Sequence, residues 1–441
     1  MSSSHALVAG AAAVDITPTR SLFLFGYPNV ERNSTGVNDP LLCSSLYLSD
    51  GNVAQLFVAC DVIFVERRLA LRAKARIEAT TGVPAAHMLI SATHTHSAPM
   101  TMTMLSNAAD PRVPPIDPEF VQALEDGIVA AAVQAYETKR PAELGVAVAD
   151  ASAVGSNRLD PSGPSDPTAP VMSVRCAQTH EPIALLLVCS MHPTVLRETS
   201  TLVSGDFPGL ARKYLQEQTF GSKVPVIYHT GPCGNLSPRH VVRENTVAEA
   251  TRLGYLLGAA VEAAMHSIEY SSTLRLSCRT DSLRFPLRKF PTVGAANELL
   301  HQAEADFRQL QAAAADPRTT RTAECKLFGA EETVALSRAS EQGLVAQAAA
   351  EVLPAELSIF QIGDWRYVGW PGEQFVEFSL EVKARYPQCC IISMANGDLQ
   401  GYLVTANAVR DKTYESLNAI FESPASGNLL VGRTLELLSQ N

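Results

Sequence analysis

Met88-Leu89-Ile90-Ser91-Ala92-Thr93-His94-Thr95-His96-Ser97-Ala98-Pro99 runs from an apolar stretch straight into two histidines one residue apart. Met88-Leu89-Ile90 reads as a buried strand, and a strand that delivers chemistry-bearing residues to its carboxyl end is the α/β pattern. There each imidazole can offer a neutral nitrogen to a divalent metal, and small hydroxylic neighbours followed by Pro99 leave the rings uncrowded. A His-X-His pair can equally be hydrogen-bonded core. A metal site needs further ligands, and these have to come from elsewhere in the chain.

Outward from this stretch the pattern continues. Ala6 to Val14 reads as a first strand running into the turn Asp15-Ile16-Thr17-Pro18, and strands over 44–48 and 53–59 flank Ser49-Asp50-Gly51-Asn52, a hairpin turn. Helices are expected over 66–80, 118–137, 208–217, 247–267 and 427–439, with strands over 144–148, 171–174, 183–189, 224–228, 357–362 and 365–369. The Pro-rich segment 160–170 reads as a surface loop. Residues 295–350, rich in Ala, Glu and Gln, predict a helical hairpin broken at Asp316-Pro317, a solvated structural insertion rather than a lid. The fold class is therefore α/β: mixed β-sheets flanked by helices, with a helical insertion near 290–350. Neither an internal repeat nor a dividing linker is evident, so 1–441 is read as one catalytic domain.

The chain has 441 residues, 46% hydrophobic and 18% charged, which suits an ordinary globular protein with a large core. A formal net charge of -10 without a Lys/Arg run argues against a nucleic-acid partner. No apolar stretch is long enough to span a bilayer, and Met1-Ser2-Ser3-Ser4-His5 has no basic leader pattern, so a cytoplasmic protein is expected. Its nine cysteines are scattered and odd in number, which favours reduced thiols over a disulfide framework.

Ten histidines compete to complete the metal site. His192 stands out because, like His94, it follows an apolar strand and closely precedes a proline. His229 also ends a strand and is its main competitor. For a carboxylate, Glu373 in Trp370-Pro371-Gly372-Glu373 is favoured: a strand ends, Pro-Gly turns the chain, and Glu373 opens a helix, where it could instead serve only to complement the helix dipole. Asp15, Asp61 and Asp206 read as turn or cap residues. The residues after His96 do not continue as in metallo-β-lactamase-like sites, regular barrel units are missing, and no Gly-X-Ser-X-Gly elbow is present.

Thr93-His94-Thr95-His96-Ser97-Ala98-Pro99 resembles the signature of the neutral, non-lysosomal ceramidase family of zinc amidases. Asp15-Ile16-Thr17-Pro18, Gly26-Tyr27, Ser156-Asn157-Arg158, Asn235-Leu236-Ser237-Pro238, Pro371-Gly372-Glu373, Gly401-Tyr402-Leu403-Val404-Thr405 and Tyr414-Glu415 resemble further family motifs in the same order. The resemblance implies one zinc ion per chain, held by His94, His192, Glu373 and Tyr402. It implies that His96 handles protons beside the metal, that Arg158 and Tyr414 lie near the scissile amide, and that Ser237 is required for activity.

Two imidazoles and a carboxylate leave zinc positive enough to make a bound water acidic near neutrality, so that it can attack an amide carbonyl. The oxyanion would be met by zinc with Arg158 or Tyr414, and the leaving amine would be protonated by His96. Ala98 stands where the family usually has Gly, and Arg239 follows Ser237-Pro238 where the family often has Asn. A short form without the family's C-terminal immunoglobulin-like domain or secretion signal is expected. The substrate expected is therefore a carboxamide, either lipid-like or small and cyclic, rather than ceramide by default. Ester or lactone hydrolysis on the same site is one alternative. A noncatalytic ligand-binding protein is another, disfavoured because it would not need all four ligands together.

Overall fold

The computed structural model describes residues 6–108, 110–221 and 224–440, so the Met1 to His5 segment lies outside the described residues. Strands β1 (Val8–Asp15), β2 (Leu42–Ser49), β3 (Ala54–Cys60) and β4 (Met88–Ala92) are followed by β5 (Arg140–Asp150), β6 (Thr168–Cys176), β7 (Pro182–Cys189) and β8 (Val226–Thr230). These eight form one sheet in the order β8-β7-β6-β5-β1-β2-β3-β4. A second, four-stranded sheet is built from β9 (Leu276–Leu283), β10 (Ala355–Ile362), β11 (Trp365–Gly369) and β12 (Cys389–Ile392).

The pairing directions expose a regularity that is absent from the residue pattern. In β1–β4 three antiparallel strands are followed by a helix, α1 (Arg67–Thr81), and a fourth strand parallel to the third. Strands β5–β8 repeat this arrangement around α3 (Asp206–Tyr214), and β9–β12 repeat it around α8 (Val376–Arg385). A strand-to-parallel-strand return needs a crossover helix, so each unit leaves one loop before its helix and one after its last strand at the same end of the sheet. The sequence offers no repeat to match because hydrogen-bond topology requires only apolar strands and a crossover of suitable length.

The final strands of the three units are laced together at that end. Ala92 N donates to Met394 O, Asn396 N to Ile90 O at 2.7 Å, and Ser393 N to Thr230 O at 2.9 Å. The Thr230 hydroxyl donates to the Thr93 carbonyl at 2.6 Å. Below this seam the two sheets close on a dry core, where Phe57 meets Phe360 and Tyr367 at centroid distances of 5.3 and 5.6 Å. Burying such rings is the main source of stability, on the order of 1.5–3 kcal/mol for each side chain.

The helices cover the outer faces. Asp117 caps α2 (Pro118–Glu137) through Phe120 N, and its Phe120, Leu124, Ile128 and Ala131 stripe packs with α1 on the first unit. Helix α4 (Val247–Met265) packs on α3 in the second unit. The expected insertion is present between β9 and β10 as α5 (Val293–Ala312), α6 (Pro317–Glu341) and α7 (Leu344–Val352). Asp316 caps α6 with Pro317 in its first turn, so the chain breaks at the predicted dipeptide.

Short helices α9 (Ala406–Arg410) and α10 (Tyr414–Asn418) lead to α11 (Ser423–Ser439). Among the described residues no helix is long and apolar enough to cross a membrane.

Three expectations change. Glu373 does not open a helix: it lies in the two-residue strand Glu373–Gln374, paired in parallel with Tyr402–Leu403, and α8 begins only at Val376. Strands β9 and β12 escape the sequence pattern; the first is polar in most of its positions and the second has only four residues. The insertion is not merely solvated. Helix α5 is mostly exposed, but α6 packs against α10, and Thr333 Oγ1 donates to the Leu417 carbonyl at 3.1 Å.

Thr230→Val keeps the side-chain volume and leaves the buried Thr93 carbonyl without its hydroxyl partner. It should destabilise the fold by about 1–3 kcal/mol. A lower midpoint in urea with an unchanged m-value is the expected result; an unchanged midpoint would remove the lacing from the account.

Candidate metal centre

The loops at the laced end supply the side chains. His94 follows β4 with φ of 67°, an unusual value for a residue with a side chain. Backbone bonds hold it there: Thr93 N donates to Cys60 O and His94 N to Val62 O, at 2.8 and 3.0 Å. His192 follows β7 and Glu373 follows β11, so each of the three units contributes one side chain.

The ring hydrogen bonds determine what these side chains present to one another. Nδ1 of His94 faces the Ile63 carbonyl at 2.9 Å, and Nδ1 of His192 faces the carbonyls of Cys233 and Leu236 at 2.7 and 3.1 Å. A carbonyl only accepts, so each Nδ1 carries the proton and each neutral ring presents a lone pair at Nε2. Those two Nε2 atoms lie 3.1 Å apart. Glu373 sets Oε1 at 3.0 Å from His192 Nε2 and Oε2 at 3.4 Å from His94 Nε2. Two lone pairs and a carboxylate converging in a buried space repel unless a cation stands among them.

In the protein alone a proton is favoured there at His94, whereas burial keeps His192 below its usual value. Burial works against a charged ring at His94, but the carboxylate of Glu373 outweighs it and lifts the imidazole above its usual value. Burial likewise opposes the charge on Glu373, and the two imidazoles prevail, holding the carboxyl well below its usual range. Burial pushes the Cys233 thiol well up, with Glu373 adding to it, so sulfur stays protonated beside this group. Two imidazole nitrogens and a carboxylate whose own hydrogen bonds orient them are a donor set suited to a divalent metal such as zinc.

His96 is the third imidazole, its ring 5.0 Å from that of His94 and 5.5 Å from that of His192. Its Nδ1 donates to Gly26 O at 2.9 Å, leaving Nε2 buried without a partner. Burial and the two neighbouring rings keep His96 well below the usual imidazole value, hence neutral. Gly26, with φ of 118°, admits this ring closely; a Cβ there would collide with Nδ1 and Cγ.

Tyr402 stands beside Glu373 through their backbone pairing. Burial first, and then Glu373, push its phenol well above the usual value. Tyr414 packs edge-on against Tyr402 at 6.0 Å, with its hydroxyl 3.5 Å from Glu332 of α6. Glu332 is itself pushed up to about 7 by burial.

Arg158 is held in place by a 2.6 Å contact to Glu415, its guanidinium 5.8 Å from the Tyr402 ring. Ser237 caps the turn after it, accepting from Arg239 N at 3.3 Å. All five of His96, Arg158, Ser237, Tyr402 and Tyr414 line one cleft of about 520 Å³, and α6 forms its opposite wall with Arg321, Cys325 and Phe328. A recess of about 60 Å³ leads on to His94, Glu373 and Asp398.

His229 stays apart. It is fully buried with Nδ1 at 2.7 Å from the Ser91 hydroxyl, and burial alone lowers it to about 3. Asp61 pairs with Arg212 at 2.8 Å, Asp206 accepts from Leu196 N, and Asp15 accepts from Thr17 N, as turn and cap residues do. Asp398 and Glu332 carry no signal in the sequence, as isolated acids in a polar loop and a helix, and Glu415 stands there only as part of the Tyr414-Glu415 motif, with no role of its own.

Residues 7–229 match the family model described as neutral/alkaline non-lysosomal ceramidase, N-terminal. Neutral ceramidase 2 of Arabidopsis thaliana is 22% identical over 303 residues, 64% of this chain, and the match spans only 39% of that relative's length. A solved ceramidase complexed with C2 superimposes with a TM-score of 0.75 at 17% identity, covering 99% of this chain and 76% of the other. The crystal structure of neutral ceramidase from Pseudomonas aeruginosa gives the same TM-score at 18% identity, covering 98% and 74%.

A proton and a metal ion compete for the same lone pairs. Because Glu373 lifts the His94 value in the metal-free protein, apparent zinc affinity should fall as pH drops through that value, by up to about tenfold for each pH unit below it. Calorimetric titration of the chelator-stripped protein between pH 8 and pH 5 measures this; an affinity independent of pH would mean that no imidazole has to lose a proton to receive the metal.

Proposed function

The chain belongs to the neutral/alkaline non-lysosomal ceramidase family, and from that premise we propose that it is a zinc-dependent hydrolase that cleaves a carboxamide. The observation that carries this reading is the pair of Nε2 lone pairs facing each other at 3.1 Å beside a carboxylate, opening on a cleft that also holds a neutral imidazole with a free nitrogen. In this reading His94, His192 and Glu373 hold one zinc ion per chain and Tyr402 completes the set. Zinc bound there would polarise an amide carbonyl and acidify a water molecule.

The remaining steps belong to the chain's own groups. Nε2 of His96 accepts the proton of the attacking water, because Nδ1 is already committed to the Gly26 carbonyl and the ring is neutral at physiological pH. The same nitrogen then returns the proton to the departing amine. Arg158, fixed by Glu415, presents a permanent positive charge where the carbonyl oxygen becomes an oxyanion. Burial, followed by Glu332, keeps the Tyr414 phenol well above its usual value, so it serves as a hydrogen-bond donor. Ser237 faces the cleft from its turn and orients the amide.

Chelation should abolish hydrolysis of an N-acyl amide and zinc should restore it, with His94→Ala and His192→Ala losing at least about a hundredfold in kcat/KM together with the metal. Full turnover by metal-free protein would contradict the mechanism. Hydrolysis of esters or lactones without amides would redirect the reading to ester chemistry, and ligand binding without any turnover would make the protein a binder.

Gly26→Ala separates the roles of the two motif histidines. Displacing the His96 ring should lower kcat by about 100-fold while zinc affinity stays within about threefold. A matching loss of zinc affinity would make His96 a ligand instead.

A further inference from the structure

The cleft beside the metal centre is lined by five Arg and Lys side chains against four carboxylates. The chain as a whole is acidic, with a formal net charge of -10, yet Arg158, Arg197, Arg239, Arg321 and Lys326 all line this one cavity. Arg158 is matched by Glu415, and Arg321 by Glu198 and Glu324 at 3.0 and 2.7 Å. Among the described residues the other acidic side chains of the lining form no ion pair with Arg197, Arg239 or Lys326. Glu377 accepts from Asn235 Nδ2 at 2.8 Å, Asp160 from the Ser162 hydroxyl at 2.7 Å, and Asp411 from Arg410.

Arg239 differs from its neighbours. It lies deep in the cleft, and among the described residues no carboxylate forms an ion pair with it. Its Nη1 donates to the Arg158 carbonyl at 3.3 Å and its Nη2 to the Cys325 sulfur at 3.7 Å, a long bond to a weak acceptor. Burial lowers its value and outweighs what the nearby Cys325 and Glu415 do to raise it, so the guanidinium is desolvated without full compensation. A part-buried cation in this state costs free energy that an arriving oxyanion recovers, and a planar guanidinium fits carboxylate or phosphate oxygens in pairs. A neutral hydroxylated amide could satisfy hydrogen bonds here but would leave the charge unmatched.

Resting on the amide-hydrolase reading above, we propose that the substrate carries an anionic oxygen group, carboxylate or phosphate, close to its scissile amide, and that Arg239 is the specificity-determining residue that receives it. Arg197 and Lys326, which form no ion pair among the described residues, line the same cleft and add to the attraction that draws such a substrate in. Arg239 is joined to the machinery by its own sequence: Ser237, two residues earlier, lines the cleft, and the Arg239 side chain is bonded to the carbonyl of Arg158. An anion held at Arg239 is therefore in register with the amide that those two residues face.

The test uses the zinc-loaded full chain and matched amides sharing one acyl chain: N-lauroylglycine and N-lauroyl-phosphoethanolamine as anions, N-lauroylglycinamide and N-lauroylethanolamine as neutral partners. The anionic members should be preferred by about tenfold or more in kcat/KM, whichever of the two is better. That ratio should collapse toward one in Arg239→Gln and be partly regained in Arg239→Lys, at a metal content equal to that of the wild type.

Equal or better cleavage of the neutral partners by the wild type would overturn the proposal even if the variants failed to fold. An equal loss for both series in Arg239→Gln would also overturn it. If no amide were cleaved the hydrolase reading would fall by itself, and calorimetry would decide the anion site. Tighter binding of N-lauroylglycine than of its amide, lost in Arg239→Gln, sustains the site; equal binding overturns it.

Discussion

Three backbone carbonyl contacts determine the electrostatics of this molecule's centre. Because Ile63 O takes the Nδ1 proton of His94, and the carbonyls of Cys233 and Leu236 take that of His192, both rings are obliged to turn lone pairs toward each other and toward Glu373. The space between them is stable only with a positive charge in it. The surrounding architecture can be understood as what keeps these groups from relaxing apart: His94 is anchored by backbone bonds to the loop after β3, and His192 lies between the carbonyls of the loop that follows β8.

The threefold arrangement of strands explains how three distant stretches of chain meet with this accuracy. Each unit ends its parallel pair at the same edge, and the seam joining Thr93, Thr230 and Ser393 fixes the three edges to one another. A side chain placed two to four residues past such a strand, as His94, His192 and Glu373 are, has little freedom, and rigid elements hold reacting groups better than long loops do. The specificity surfaces are built differently. They come from the segments around 158 and 239 and from α6, an insertion within the third unit, so the cleft can change while the centre is retained.

Much of this was legible in the residues. His94, His192 and Glu373 could be picked out because apolar strands end beside them, and apolar strands are the strongest periodic signal a sequence carries. Helix α2 and the break at Asp316-Pro317 declared themselves through caps and proline. What stayed hidden was non-local. The Glu373 pairing with Tyr402 depends on hydrogen bonds across 29 residues of chain, the tautomers depend on carbonyls that no side-chain pattern reveals, and the solvated character expected of residues 295–350 holds for α5 but not for α6, whose inner face borders the cleft. His229 had as good a strand-end context as His192; only the Ser91 hydroxyl and a closed apolar surrounding separate it from the site.

The account therefore turns on which atoms receive the metal. X-ray absorption at the zinc edge of the loaded protein reads this directly. The prediction is a shell of nitrogen and oxygen neighbours only, at about 2.0–2.2 Å, with the outer-shell scattering of imidazole rings lost in part in His192→Ala. A sulfur neighbour at about 2.3 Å would move the site to Cys233, and a shell without imidazole would contradict the lone-pair cage on which the rest depends.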